Sequence, residues 1–131
     1  MNTKLLAVCL FLATGACASG PVHGSGWVRL GERTVTDRID HDRIDIGARA
    51  GEFDRIKLTV DRTAVDFHRV LVIFGNGTRQ EIPIRTTIRA GGETRSIDLD
   101  GGDRVIRAVE FWYDARTMGG RRAVVRLFGR R

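Results

Sequence analysis

Residues 104–130 read RVIRAVEFWYDARTMGGRRAVVRLFGR, two runs of alternating apolar and polar side chains on either side of a glycine-bearing loop. A period of two marks an extended strand with one covered face, so this stretch predicts two antiparallel strands joined as a hairpin. The register that sets Tyr113 against Ala123, Phe111 against Val125 and Val109 against Leu127 makes one face wholly apolar. On the other face it brings Glu110 to Arg126 and Trp112 to Val124. A slip of one residue splits the apolar set between core and solvent and loses the Glu–Arg pair. The pattern therefore chooses an odd-numbered interior; it does not choose a function.

At 131 residues the chain has room for one domain. An apolar content of 42% beside 29% charge is that of a globular chain, not a disordered one. Residues 1–18 differ from the rest. Lys4 is their only charge, Leu5 to Ala13 is an apolar run too short to span a bilayer, and Ala16-Cys17-Ala18 offers the small residues of a signal-peptidase site. They read as a cleaved signal peptide, with residues 19–26 a flexible lead and 27–131 the folded domain. The alternative is a lipoprotein signal in which Cys17 becomes the acylated first residue, but Thr14 stands where a larger aliphatic is usual. Cys9 and Cys17 are the only cysteines. A mature chain without them enters an oxidising compartment with no disulfide and relies on packing alone. No membrane span is expected in the mature form.

The net charge is +6 for the whole chain, supplied almost entirely by arginine, since Lys4 and Lys57 are the only lysines. That sign and an exported address favour anionic envelope material, acidic polysaccharide or lipid headgroups, over nucleic acid. Arginines interleaved with aspartates also serve plain solubility.

Elsewhere the chain repeats the strand signal about every ten residues. Trp27 opens WVRLG, with Trp27 and Arg29 on one side and Val28 and Leu30 on the other. RTVTDRIDHDRIDIG (33–47) reads as two short strand pieces with a corner at Asp40 to Asp42. Ile56, Leu58 and Val60 alternate inward, with Arg55, Lys57 and Thr59 outward; Phe53 has the wrong parity and predicts a bulge. Val70 to Phe74 is a continuous apolar run, the mark of a strand covered on both sides. Asn76-Gly77 is a hairpin signal of the type I′ kind, and Thr78 to Arg85 returns as a strand that Pro83 demotes to an edge or bulges. Ile97 and Leu99 point inward from a short strand. No stretch is long and periodic enough for a helix. The expected fold is all-β, a single antiparallel sandwich, jelly-roll-like because the immunoglobulin cysteine pair is absent, with a five-stranded oligomer-binding barrel as the runner-up.

The strings Trp27 to Arg33, Gly51-Glu52-Phe53, Ala90 to Arg95, Ile97-Asp98-Leu99, Gly101 to Arg104 and Val125 to Gly129 resemble an uncharacterised family of small exported bacterial β-sandwich proteins. The resemblance covers nearly all of the mature chain. It implies a fold and an address, and no catalytic residues.

Four constellations are candidates for function. On the far face of the organising strands Trp112 and Phe128, with Glu110 and Arg126 between them, form an aromatic platform flanked by charges, the kind of surface that holds a sugar ring; alternatively another layer covers it and Trp112 is core. Arg116, Arg121, Arg122, Arg130 and Arg131 form a second candidate, a positive patch for an anionic polymer or lipid. Asp40, Asp42 and Asp45 are a weak metal set, because Arg38 and Arg43 sit among them and the spacing matches no calcium loop. Asp66 and His68 share a strand face and could orient an imidazole for hydrolase-like chemistry, but no nucleophile accompanies them. The reading is a non-catalytic exported envelope module that binds a carbohydrate or an anionic component, needs no cofactor, and has an oligomeric state these patterns do not encode. An enzyme built on Asp66 and His68 is the alternative.

Overall fold

A computed structural model describes residues 26–37, 40–114 and 119–131. The predicted signal peptide, all of the lead but Gly26, Arg38 and Arg116 lie outside the described residues. Ten strands are described: β1 (Trp27–Val35), β2 (His41–Asp45), β3 (Glu52–Phe53), β4 (Arg55–Asp61), β5 (Val65–Phe74), β6 (Arg79–Ile82), β7 (Thr86–Ile88), β8 (Ile97–Asp98), β9 (Arg104–Tyr113) and β10 (Ala123–Arg130), with one 3-10 turn at Ala48–Ala50. They form two antiparallel sheets. Sheet I runs β2-β9-β5-β6, with β3 continuing the β2 column against β9 and β7 continuing the β6 column against β5; sheet II runs β1-β10-β4-β8. Each layer is thus four columns wide. Apart from the β5–β6 hairpin, every link between columns crosses from one layer to the other, the winding of a jelly roll. The expected sandwich is observed and the barrel is not.

The organising strands are both present, but they are not a hairpin. β9 lies between β2 and β5 in sheet I, and β10 lies between β1 and β4 in sheet II. The odd-numbered residues do face inward: Val109, Phe111, Val125 and Leu127 are fully buried, and Tyr113 and Ala123 with them. They meet across the gap between layers, roughly 10 Å in such sandwiches, instead of side by side within one sheet. Alternation records which side of a strand is covered, and a crossing connection covers the same side that a hairpin would. The Glu110–Arg126 pair is therefore absent, its members lying on opposite outer faces.

Smaller corrections have local causes. Phe53 is out of phase because the chain changes sheets at Asp54, not because of a bulge: the Asp54 amide donates to the Arg130 carbonyl (2.9 Å) and its carbonyl accepts from Leu99 (2.8 Å), pinning the corner to sheet II. The Asn76-Gly77 hairpin is real, but only Gly77 has positive φ, 91°. The Phe74 carbonyl accepts from Gly77 and the Phe74 amide donates to Thr78 (both 2.9 Å), a three-residue loop closed by a glycine bulge and not a type I′ turn. The returning strand ends at Ile82, where Pro83 sits in a tight turn closed by Ile84 N–H to the Ile82 carbonyl (2.8 Å).

Phe53, Phe67, Phe74, Phe111 and Tyr113 are the largest side chains of the interior. Gly129 lets β10 lie flat on this core, since a Cβ there would sit 2.8 Å from Phe53 Cδ1 and 2.9 Å from Leu30 Cδ1. Leu71, Ile73 and Ala108 form a second, smaller cluster on the outer side of sheet I, with Trp112 packed against it. That is why the run from Val70 to Phe74 is apolar throughout. Among the described residues no helix is long and apolar enough to cross a membrane.

Candidate functional site

The predicted aromatic platform is divided between the two outer faces. On sheet I, Trp112 of β9 is directly opposite His41 of β2 on one side and Arg69 of β5 on the other. The His41 ring stacks on the indole at 4.4 Å, and the Arg69 guanidinium lies 4.4 Å from its centroid. Because β2 and β5 flank β9 on opposite sides, both faces of the half-buried indole are occupied. Trp112 is neither core nor an open platform. Glu110, two pairs along and so on the same face, accepts from His41 Nε2 and from Arg43 (both 3.0 Å), and Arg43 also donates to Asp45 (2.7 Å). The Asp45 hydrogen bond is the main cause that pushes the Arg43 pKa up. A shallow depression of about 430 Å³ lies beside Trp112, lined by His68, Arg69, Glu81, Pro83 and Arg85.

On sheet II, Phe128 of β10 is opposite Arg29 of β1 and Lys57 of β4; in the next row Arg130 is opposite Trp27 and Arg55. Two aromatic rings and four cations thus occupy two adjacent rows of three strands. The Lys57 ammonium lies 4.6 Å from the Trp27 ring centroid and 6.0 Å from that of Phe128, and the Arg130 guanidinium lies 5.9 Å from Trp27. Arg126, predicted as Glu110's partner, instead bonds Glu32 (3.0 Å) and Asp61, and those hydrogen bonds, Glu32 first, push its pKa up. Sequence reading placed Lys57 and Arg55 outward but did not join them to Trp27 and Phe128, because that needs the strand order β1-β10-β4.

The predicted arginine patch is also divided. Arg121 and Arg122 precede β10, while Arg130 ends it and Arg131 follows. Arg122 and Arg130 are eight strand steps apart, roughly 26 Å at about 3.3 Å per residue. Arg131 is turned back onto the fold, donating to the Ala50 carbonyl (2.6 Å) and lying 4.6 Å from the Phe53 ring. Arg116 lies outside the described residues. In the acidic corner Asp42 accepts from Arg33 (2.9 Å) and Asp45 from Arg43 (2.7 Å), so these carboxylates are neutralised by arginines.

Asp66 and His68 do come together, and Asp114 joins them. The β9 register passes from Trp112 opposite Arg69 to Tyr113 opposite Phe67, leaving His68 as the extra residue of a bulge. A ligand atom from each of Asp66, His68 and Asp114 lies within 4.8 Å of the others. The Asp114 amide donates to the Asp66 carbonyl (2.9 Å), and the Thr87 hydroxyl donates to Asp66 Oδ1 (3.2 Å). Asp114 has no sequence signal of its own; only the adjacency of β5 and β9 brings it in.

Layer order and outer faces together define a jelly-roll sandwich with charged, partly aromatic sheet surfaces. The chain belongs to the DUF2541 family, a domain of unknown function whose model matches residues 5–129. Comparison with the curated proteins finds no match. Among solved structures it is similar to Pseudomonas aeruginosa AlgX, at 18% identity and a TM-score of 0.56, over 82% of this chain and 27% of that one. The likeness is one of fold, and this chain spans little more than a quarter of the AlgX chain's length.

Proposed function

We propose that this protein is a non-catalytic binding module, exported to the cell envelope by residues 1–18, that holds an acidic polysaccharide across the outer face of sheet II. The observation that carries the reading is the pair of rows in which Trp27 and Phe128 alternate with Arg29, Arg55, Lys57 and Arg130. Aromatic rings offer an apolar surface to the C–H face of a sugar, and guanidinium groups match its carboxylates bidentately. Three of the four cations already meet acids: Arg29 with Glu32 (2.9 Å), Arg55 with Asp98 (3.4 Å) and Lys57 with Glu93 (3.2 Å). Exposed pairs of this kind contribute at most about 1 kcal/mol, so exchanging those acids for ligand carboxylates costs little. The closed stack around Trp112 favours sheet II over sheet I. Hydrolase-like chemistry at Asp66 and His68 is the weaker reading, since the group that joins them is a second carboxylate and the neighbouring Thr87 hydroxyl donates to Asp66, not to the imidazole that would activate it.

Affinity electrophoresis through gels holding a polyuronate or a neutral glucan tests this. The protein is expected to be retarded by the polyuronate alone and less so as salt screens the charges. Phe128→Ala and Lys57→Ala should each weaken retention roughly tenfold, about 1.4 kcal/mol. Equal migration in both gels sinks the reading, and retention on anionic vesicles without retention by the polyuronate replaces the polymer with a lipid surface.

A further inference from the structure

We infer that Asp66, His68 and Asp114 bind a divalent transition-metal ion, and that zinc is the ion their chemistry fits best. The ligand atoms already converge to within 4.8 Å of one another. Donors sharing one tetrahedral zinc stand roughly 3.4 Å apart at bond lengths of about 2.0–2.1 Å, so small side-chain rotations close the set with no movement of the backbone. Two carboxylates alone would suit calcium or magnesium; an imidazole among three donors selects a softer ion.

The backbone beneath the set is fixed. β5 and β9 are the two inner columns of sheet I, and the hydrogen bond from the Asp114 amide to the Asp66 carbonyl locks their ends together. The bulge re-aims His68 at this point, and the Thr87 hydroxyl orients Asp66 from behind, as outer partners do for metal-binding carboxylates. His68 is exposed, which leaves an ion a path in and a position for water or a ligand oxygen. A cavity of about 490 Å³ adjoins the set, sharing Asp66 and Thr87 with it. Asp42 and Asp45, by contrast, are each held by an arginine and belong to no such converging set among the described residues. This site is on the layer opposite the proposed polysaccharide face and stands or falls separately from it.

The test is isothermal titration of the tag-free full chain with zinc chloride and, in parallel, calcium chloride. One zinc per chain is expected, with at least tenfold weaker binding in His68→Ala and in Asp114→Asn and no change in His41→Ala, which removes the other described histidine. Saturating zinc should raise the melting temperature of the wild type and not that of His68→Ala. His68 is exposed, so its variant should melt within a few degrees of the wild type without metal, which separates lost binding from lost fold. Absence of zinc binding, zinc binding that survives His68→Ala, loss in His41→Ala, or calcium binding as tight as zinc would each overturn the assignment.

Discussion

Each outer face of the sandwich carries one tryptophan, and the two are used differently. Trp112 on sheet I lies between an imidazole and a guanidinium, over the small apolar cluster of Leu71, Ile73 and Ala108. Trp27 on sheet II belongs to a row completed by Arg130 and Arg55, with Lys57 beside it from the next. One face has used its aromatic ring to bind itself together. The other has gathered cations around its rings. The strand alternation is the same in both, so the difference comes from how the columns combine: on sheet I an imidazole and guanidinium groups from the neighbours are held by Glu110 and Trp112 of β9, and on sheet II a run of bases lies against β10.

The contrast requires that residues 111 and 112 point to opposite sides of sheet I, and the largest expected effect tests that parity. Phe111 is wholly buried against Phe67 and Tyr113, with ring centroids 5.9 Å away in each case. Phe111→Ala should cost about 3–5 kcal/mol in urea denaturation through lost burial and the cavity left behind. A loss below about 1 kcal/mol would mean that the interior is on the other side.

The next effect sharpens the comparison between faces. Trp112→Ala should cost about 1–2 kcal/mol, because the indole is half-buried and lies over apolar side chains. Trp27→Ala, at the start of an edge strand, should cost less than half of that in the same assay while weakening retention by the polyuronate. The reverse ranking of stabilities would make Trp27 the more structural of the two rings.

These two predictions also mark where sequence stops being readable. The inward set was legible because burial imposes a period of two on each strand separately, and Phe111, Val125 and Leu127 obey it whatever their partner strand. Pairing is a relation between strands. The apolar register that joins residues 104–113 to 123–130 is satisfied equally well by facing layers, and the link from Asp114 to Arg122 is long enough for either. Phe53 gave a usable hint, since a sudden change of parity beside a polar residue marks a corner as readily as a bulge. For the sites, each residue's side of its strand was mostly readable, while the groupings were not: Trp112 with His41 and Arg69, Phe128 with Lys57, and Asp114 with His68 all depend on column order.

The smallest effect concerns the inner row where it approaches the acidic corner. Tyr113 is buried, and its hydroxyl reaches toward Asp42 Oδ2 at 3.4 Å. Burial first, and the Asp42 charge next, push its pKa above the ordinary phenol value. A pKa higher in the folded state than in the unfolded one means that the folded chain favours the neutral phenol. Its contribution is fully present below about pH 10, the unfolded value, and is lost as pH rises from there toward the folded value. Near neutrality Tyr113→Phe should therefore change stability by less than about 1 kcal/mol, the hydrogen bond being long. Above about pH 10 the wild type should lose up to about 1.4 kcal/mol per pH unit relative to the variant. Urea midpoints for both proteins between about pH 8 and about pH 11 measure this. Parallel curves would mean that the phenol meets water in the folded chain, and that the row of Val109, Phe111 and Tyr113 opens to solvent at this end.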